Sequence, residues 1–448
     1  MSQSPTGTAE ADPALVRRAI AASAVGNATE WFDYGVYAYV ATQIGDAFFP
    51  GEYSTLAAML VFAVSFVLRP LGGIFWGALG DRIGRRAVLA MTILVMSAAT
   101  FLVGVLPTAA SVGLLAPILL LILRMVQGFA TGGEYGGAAT FMAEYAPDRR
   151  RGFFGSFLEV GTLSGFTLAI IVVGVTEASI GSEAMAAWGW RVPFLLGLPL
   201  GLIGLYLRSR LEDTPVFREL EAQGRVEQST RTRLADLVRL YWRPLLMLGG
   251  LVVALNVANY TLLTYSPTYL QETIGMSSGS TDLLIGIGQA AMIIFLPLAG
   301  AWSDRVGRKP LWWTSLIGMF VLVIPAYLLM AQGFVGALIG FSVLGLIYTL
   351  QLGTISSTFP AMFPTQVRYV GFAASYNIAT AIFGGTAPAI SEGLIGATGS
   401  NLVPAYVMMV AFVIGMVALW FVPETRGCSL RGTEIPRAAD APSRPVAA

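Results

Sequence analysis

The chain has 448 residues, of which 55% are apolar and only 12% charged, with a net charge of +1 and a mean hydropathy of +0.70. A soluble domain carries about 25% charged residues, whereas the about 246 apolar positions here suffice for roughly twelve bilayer-crossing helices of ~20 residues. This excludes a soluble enzyme, a disordered chain and a coiled coil; the long apolar blocks lack the strand alternation of a membrane β-barrel, and no basic patch suits nucleic acid.

Apolar blocks follow one another from Ala19 to Val422, at about 19–42, 54–80, 86–106, 113–144, 152–177, 190–208, 243–270, 281–303, 310–331, 333–360, 367–396 and 401–422. The first is too long for a cleaved signal peptide, holds Glu30 and Asp33, and is followed by further spans. Ionisable groups inside a membrane helix are costly and mark function. Helical periodicity puts Asn27, Glu30, Tyr34 and Tyr37 on one stripe, with Trp31 beside it and Asp33 at its flank. Aromatic rings attract quaternary ammonium groups and a carboxylate adds charge, so this face suits a cation. The alternative is that Glu30 or Asp33 pairs with Arg69 or Arg124. Arg69-Pro70 in span 2 reads as a kinked, paired position.

Spans 2 and 3 are joined by Gly80-Asp81-Arg82-Ile83-Gly84-Arg85-Arg86, preceded by Gly77. Glycines allow a tight turn, the acid can attract a neighbouring helix N-terminus, and the arginines can pair with acids such as Glu144. In span 4, Arg124, Gln127, Thr131, Glu134 and Tyr135 share one arc. A permanently charged Arg facing a cavity can grip a carboxylate bidentately; alternatively Arg124 neutralises Glu30 or Glu134. Glu159 in span 5 reads as part of a pair near the helix end. In span 7, Asn256, Asn259 and Tyr260 share a face, and Asn256 and Tyr260 are candidate substrate contacts. Tyr376 and Asn377 in span 11 are weaker candidates, and Gln289 and Gln351 read as interhelical bonds. The strong intramembrane charges (Glu30, Asp33, Arg69, Arg124, Glu134, Glu159) all lie in the first half. Proton coupling is therefore expected there, through Glu30, Asp33, Arg124 and Glu134. With no histidine and one cysteine, Cys428, there is no intramolecular disulfide, His metal site or His relay. No metal or cofactor is expected beyond the proton as coupling ion.

The basic residues set the topology. They gather before span 1, between spans 2 and 3, 4 and 5, 6 and 7, 8 and 9, 10 and 11, and after span 12; the alternate loops hold no Lys or Arg. This predicts both termini on the cytoplasmic side of the cell membrane. Gly77 to Arg86 recurs as Gly300-Ala-Trp-Ser-Asp304-Arg305-Val-Gly-Arg308-Lys309, with Asp81 and Asp304 separated by 223 residues. A second echo, 219 residues apart, aligns Arg149, Gly152, Phe153 and Ser156 with Arg368, Gly371, Phe372 and Ser375. The expected fold is all-α and integral to the membrane: twelve helices in two pseudo-symmetric six-helix halves, 19–208 and 243–422, the layout of major facilitator transporters. A cytoplasmic linker (209–242) and cytoplasmic tails (1–18 and 423–448) complete it.

Four stretches carry a family resemblance: Gly26-Asn27-x-x-Glu30-Trp31-Phe32-Asp33, Gln127-Gly128-Phe129-x-x-Gly132-Gly133-Glu134-Tyr135, Ala143-Glu144-Tyr145-Ala146-Pro147-Asp148-Arg149 and Trp188-Gly189-Trp190-Arg191-Val192-Pro193-Phe194. The chain resembles the metabolite:proton symporter family of major facilitators. The resemblance implies proton-coupled uptake by alternating access, with no enzymatic activity and no obligate protein partner. Leu211-Glu-Asp-Thr-Pro215 and Leu262-Leu263-Thr264-Tyr265-x-Pro267 resemble the members that move small zwitterionic osmolytes such as proline or glycine betaine. Relatives on the same skeleton carry 2-oxoglutarate, citrate or shikimate. The resemblance makes Gly77, Asp81, Arg82, Gly84 and Arg85, with Glu144, Asp304, Arg305 and Arg308, a latch that holds the cytoplasmic face shut. Osmoregulatory members carry a long C-terminal coiled coil; the Ala-, Pro- and Arg-rich tail here shows no heptads, so that mode of osmotic tuning is not expected.

Overall fold

In lipid an apolar stretch must satisfy its backbone groups internally, which leaves the helix as the spanning element for blocks of this length. The computed structural model describes residues 13–83, 85–209, 230–364 and 367–430, and among these there is no strand. In chain order its membrane segments are α1 (Pro13–Tyr39), α2 (Ser54–Trp76), α3 (Arg85–Val105) and α4 (Leu115–Glu144). Next come α5 (Asp148–Ile180) and α6, formed by Ser182–Gly189 and Arg191–Tyr206 with a 49° bend between them. The second half holds α7 (Val238–Thr273), α8 (Ser278–Val306), α9 (Arg308–Met330), α10 (Phe334–Thr358), α11 (Val370–Thr398) and α12 (Val403–Phe421). Among the described residues nine segments pass as spans by length and composition, and the bent α6 makes a tenth. The remaining two are α1, diluted by Glu30 and Asp33, and α3, whose apolar run is limited to Ala90–Val105.

The packing repeats as the sequence does. α1 lies along α5 and α6, α2 on α4, and α3 on α4 and α6; correspondingly α7 lies along α11 and α12, α8 on α10, and α9 on α10 and α12. The halves meet through α5 against α8 and α2 against α11. The helix of α7 starts at Thr230, inside the expected linker, and loses helical geometry at Tyr241 (φ −119°, ψ 23°). Pro244 explains the break, since it offers no N–H to the carbonyl of Leu240. Residues 210–229 of that linker, 1–12 and 431–448 lie outside the described residues.

Small residues set the closest crossing. A Cβ on Gly128 would overlap the carbonyl oxygen of Ser65, and one on Gly132 that of Arg69. α2 and α4 therefore touch backbone to backbone, as small residues permit in membranes. Gly128→Val is expected to destabilise the purified protein by at least about 1–3 kcal/mol, the usual cost of overpacking. An unchanged thermal unfolding curve would contradict this contact.

Candidate functional site

α1 runs through the middle of the first half, and its two acids face different neighbours. Asp33 turns to α3 and α4. Its Oδ1 accepts from Thr100 Oγ1 at 2.6 Å and Gln127 Nε2 at 2.9 Å, and its Oδ2 lies 3.4 Å from Arg124 Nη1. Arg124 also donates to Gln127 Oε1 at 2.8 Å. Glu30 turns to α2, with Oε1 3.9 Å from Arg69 Nη2. Arg124, Arg69, Asp33 and Glu30 are all buried. The two acids and two guanidinium groups cancel, as buried charges must.

Rings form the other wall. The Arg69 guanidinium lies 4.4 Å from the Phe66 centroid and 4.9 Å from that of Tyr34; Arg124 lies 4.3 Å from Tyr37 and 5.3 Å from Phe62. Cations over ring faces are attracted by the ring quadrupole. Trp31 packs on Tyr34 and Phe166, and Tyr260 of α7 closes the group against Phe66 at 5.1 Å and Trp31 at 6.3 Å. Tyr260 opens a π-helical turn, Tyr260–Tyr265, and α11, along which α7 packs, carries another, Thr380–Gly384. Such bulges often mark functional sites. Gly384 and Gly385 leave room for the Tyr260 and Phe66 rings, which a Cβ at either position would strike. Arg69 Nε, Arg124 Nε and Nη2, Trp31 Nε1 and the Tyr260 hydroxyl are buried donors without a hydrogen-bond partner among the described residues.

The structure thus brings together Glu30, Trp31, Asp33, Tyr34, Arg124, Gln127 and Tyr260. Glu134 joins them by lining a small cavity in the first half with Glu30, Asp33 and Thr100. Several expected substrate contacts have their polar atoms engaged by the protein itself. Asn27 Nδ2 donates to Leu158 O at 2.9 Å and Thr162 Oγ1 at 2.6 Å, tying α1 to α5. Tyr37 donates to Ala58 O at 2.8 Å, and Asn256 to Thr380 Oγ1 at 2.6 Å. Glu159 has no basic partner within 4 Å among the described residues; it accepts from the Tyr135 hydroxyl at 2.5 Å. Sequence reasoning missed Arg69 as a site residue because Pro70 suggested a purely structural kink.

Both mouths are bridged between halves. On the arginine-rich face Asp304 accepts from Gly152 N at 2.8 Å and Phe153 N at 2.9 Å, at the start of α5, and from Arg308 Nη2 at 2.6 Å. Glu144 pairs with Arg368 of the other half at 3.1 Å. Arg305 is exposed. Gly84 and the side chains of Asp81, Arg82 and Arg85 lie outside the described residues; Gly77 is placed by its backbone alone, in the helix Arg69–Ile83. On the opposite face Glu272 accepts from Thr42 at 2.9 Å and Thr55 at 3.0 Å, and Ser278 donates to Glu177 at 2.7 Å. Gln289 joins Tyr39 at 2.7 Å and Thr167 at 3.1 Å, also across the halves. Among the described residues the halves are thus bridged at both faces.

A strap formed by residues 422–430 crosses the arginine-rich face. Arg151 donates to Cys428 O at 2.8 Å and Arg368 to Leu430 O at 2.7 Å. Each of these arginines also sends Nε to a carbonyl eight residues earlier, Ala143 O and Pro360 O, both at 3.0 Å. Arg151, not Arg149, is therefore the spatial counterpart of Arg368. Cys428 is buried with Ala143, Ala361 and Leu430, and burial pushes its thiol above the ordinary range despite the attraction of Arg151. Because the thiolate is the nucleophile, maleimide is expected to label Cys428 slowly, faster at alkaline pH, and faster still when this face opens. Labelling at the rate of a free cysteine under all conditions would contradict the closed strap.

The sequence matches the Major Facilitator Superfamily over residues 22–373. It is 44% identical over 441 residues to the glycine betaine/proline/ectoine/pipecolic acid transporter OusA of Dickeya dadantii, covering 96% of this chain and 87% of that one. Against the proline/betaine transporter of Escherichia coli K12 the identity is 43% over 441 residues, with the same 96% and 87% coverage. The fold superimposes on the proton:xylose symporter XylE bound to 6-bromo-6-deoxy-D-glucose with a TM-score of 0.72 at 18% identity, covering 92% of this chain and 97% of that one.

Proposed function

The chain belongs to the Major Facilitator Superfamily, and on that premise we propose that this multi-pass membrane transporter takes up a small zwitterion, such as proline or glycine betaine, together with a proton. Its arginine-rich face and both termini lie in the cytoplasm of a cell whose inner membrane it spans, by the charge asymmetry of its loops. It works as a single chain without a cofactor.

One observation carries the choice of substrate: neither central guanidinium group is left without a carboxylate, Arg69 facing Glu30 and Arg124 facing Asp33. A solute without net charge leaves that pairing intact, whereas a dicarboxylate would arrive where both guanidinium groups already face carboxylates. The names of the relatives, transporters of betaine, proline and ectoine, point the same way. The unspent donors of Arg69, Arg124, Trp31 and Tyr260 suit the substrate carboxylate. The faces of Trp31, Tyr34 and Tyr260 suit its ammonium group.

Coupling follows from competition for the guanidinium groups. A proton on Glu30, with Glu134 beside it and Asp33 balancing Arg124, releases Arg69 from its carboxylate. Arg69 then takes the substrate carboxylate and leaves its rings to the ammonium end. Separation of the Asp304, Glu144 and strap contacts opens the cytoplasmic side. Loss of substrate returns Arg69 to Glu30 and expels the proton.

The test is uptake of labelled proline, glycine betaine and 2-oxoglutarate into proteoliposomes with an alkaline interior. Proline and betaine are expected to accumulate and 2-oxoglutarate to remain outside. Absence of pH-driven uptake for every zwitterion would overturn the proposal, and accumulation of 2-oxoglutarate alone would establish the carboxylate reading.

A further inference from the structure

Glu159 is a buried carboxyl that the central charge balance does not use. It lies on α5, about three turns from the arginine-rich end of that helix. Its exposure is 2%, and it accepts from one neutral hydroxyl, Tyr135 Oη at 2.5 Å, with the Thr162 hydroxyl beside it. Two other buried acids of this half, Glu30 and Asp33, face guanidinium groups instead. The titratable groups turned toward Glu159 are Tyr135 of α4, Tyr348 of α10 and Tyr376 of α11. From α1 it is approached by Asn27 through Thr162, not by a charge. An ionised carboxylate in so apolar a place lacks the compensation that buried charges require.

The surroundings tie this group to the contact between halves. The Tyr135 ring is stacked on Tyr376 of the second half, with centroids 4.5 Å apart and planes 19° apart. Below them Phe372 packs on Tyr135, Tyr376 and Phe359, sealing the group from the arginine-rich face. Separation of α4 from α11 breaks the stack and uncovers Glu159. On its other side Thr162 Oγ1 accepts from Asn27 Nδ2 at 2.6 Å, which leads to α1, one turn from Glu30.

We propose that Glu159 is the exit site of the coupled proton: it holds the proton while Tyr135 is stacked on Tyr376, and surrenders it to cytoplasmic water when the halves part. The proton arrives on the carboxylate oxygen from the Glu30 side and leaves to water, so charge and atoms balance without another reactant. This rests on the proton-coupled reading above, and the test separates the two.

The experiment compares wild type and Glu159→Gln in proteoliposomes by two readouts with labelled proline: accumulation driven by an alkaline interior, and counterflow without a pH gradient. Glu159→Gln is expected to lose accumulation at least about tenfold, roughly 1.4 kcal/mol of driving force. It is expected to keep counterflow, now independent of pH. Accumulation equal to wild type would overturn the proposal and leave the symport reading standing. Loss of pH-driven uptake already in wild type would overturn the symport reading instead. A direct spectroscopic readout decides in that case, or if Glu159→Gln is inactive in both assays. The infrared C=O stretch of a buried protonated carboxyl in the wild-type protein is expected to change frequency in Tyr135→Phe, which removes only the donor. An unchanged band overturns the assignment.

Discussion

Replacing Arg124 by Gln is expected to abolish uptake and to destabilise the protein by about 3–5 kcal/mol, the cost of leaving one partner of a buried ion pair alone. Asp33 would keep only Thr100 and Gln127, two neutral donors, in a place from which water is excluded. The double variant Asp33→Asn/Arg124→Gln removes both charges and is expected to regain most of that stability, as neutral replacements of buried pairs do. Its transport should not recover. The unspent donors of Arg124 are lost, and a charge-assisted bond of about 1.5–3 kcal/mol corresponds to roughly ten- to a hundredfold in affinity. Thermal unfolding and proline binding, measured on the same preparations, separate the two effects. A single variant with wild-type stability would show that the 3.4 Å contact between Asp33 and Arg124 carries no weight.

Asp304→Ala should act on the equilibrium between conformations and not on the binding site. Asp304 holds two backbone N–H groups at the start of α5 from across the interface, and its removal also frees one arm of Arg308. Loss of such a cap costs about 0.5–2 kcal/mol, which shifts a two-state equilibrium by roughly two- to thirtyfold toward the form open on the arginine-rich face. Maleimide labelling of Cys428 should accelerate by the same factor, while uptake falls because the return step is disfavoured. Unchanged labelling would mean that Asp304 is not part of the closure.

Most of the architecture was legible because charge in a membrane chain is scarce and ordered. The partition of arginines and the repeat of Asp81 at Asp304 expose the twelve-helix pattern even where hydropathy alone fails, as in α1 and α3. At the site, periodicity identified the right side chains and not their neighbours. Glu30 and Asp33, three residues apart, point about 60° from each other, and that angle is enough to send one to α2 and the other to α3 and α4. Asn27 shares the stripe of Glu30 but lies one turn lower, where the facing surface is α5. The strap over Arg151 and Arg368 left no trace in composition, because its partners are backbone carbonyls of an ordinary-looking tail. Tyr135, Glu159 and Tyr376 meet only when α4, α5 and α11 are assembled.

The central claim is that zwitterion and proton enter together. Proteoliposomes loaded with a pH-sensitive dye, at equal pH on both sides, test it most directly when proline or glycine betaine is added outside. The account predicts acidification of the interior that follows the labelled substrate inward. Entry of substrate with no change in internal pH would contradict it.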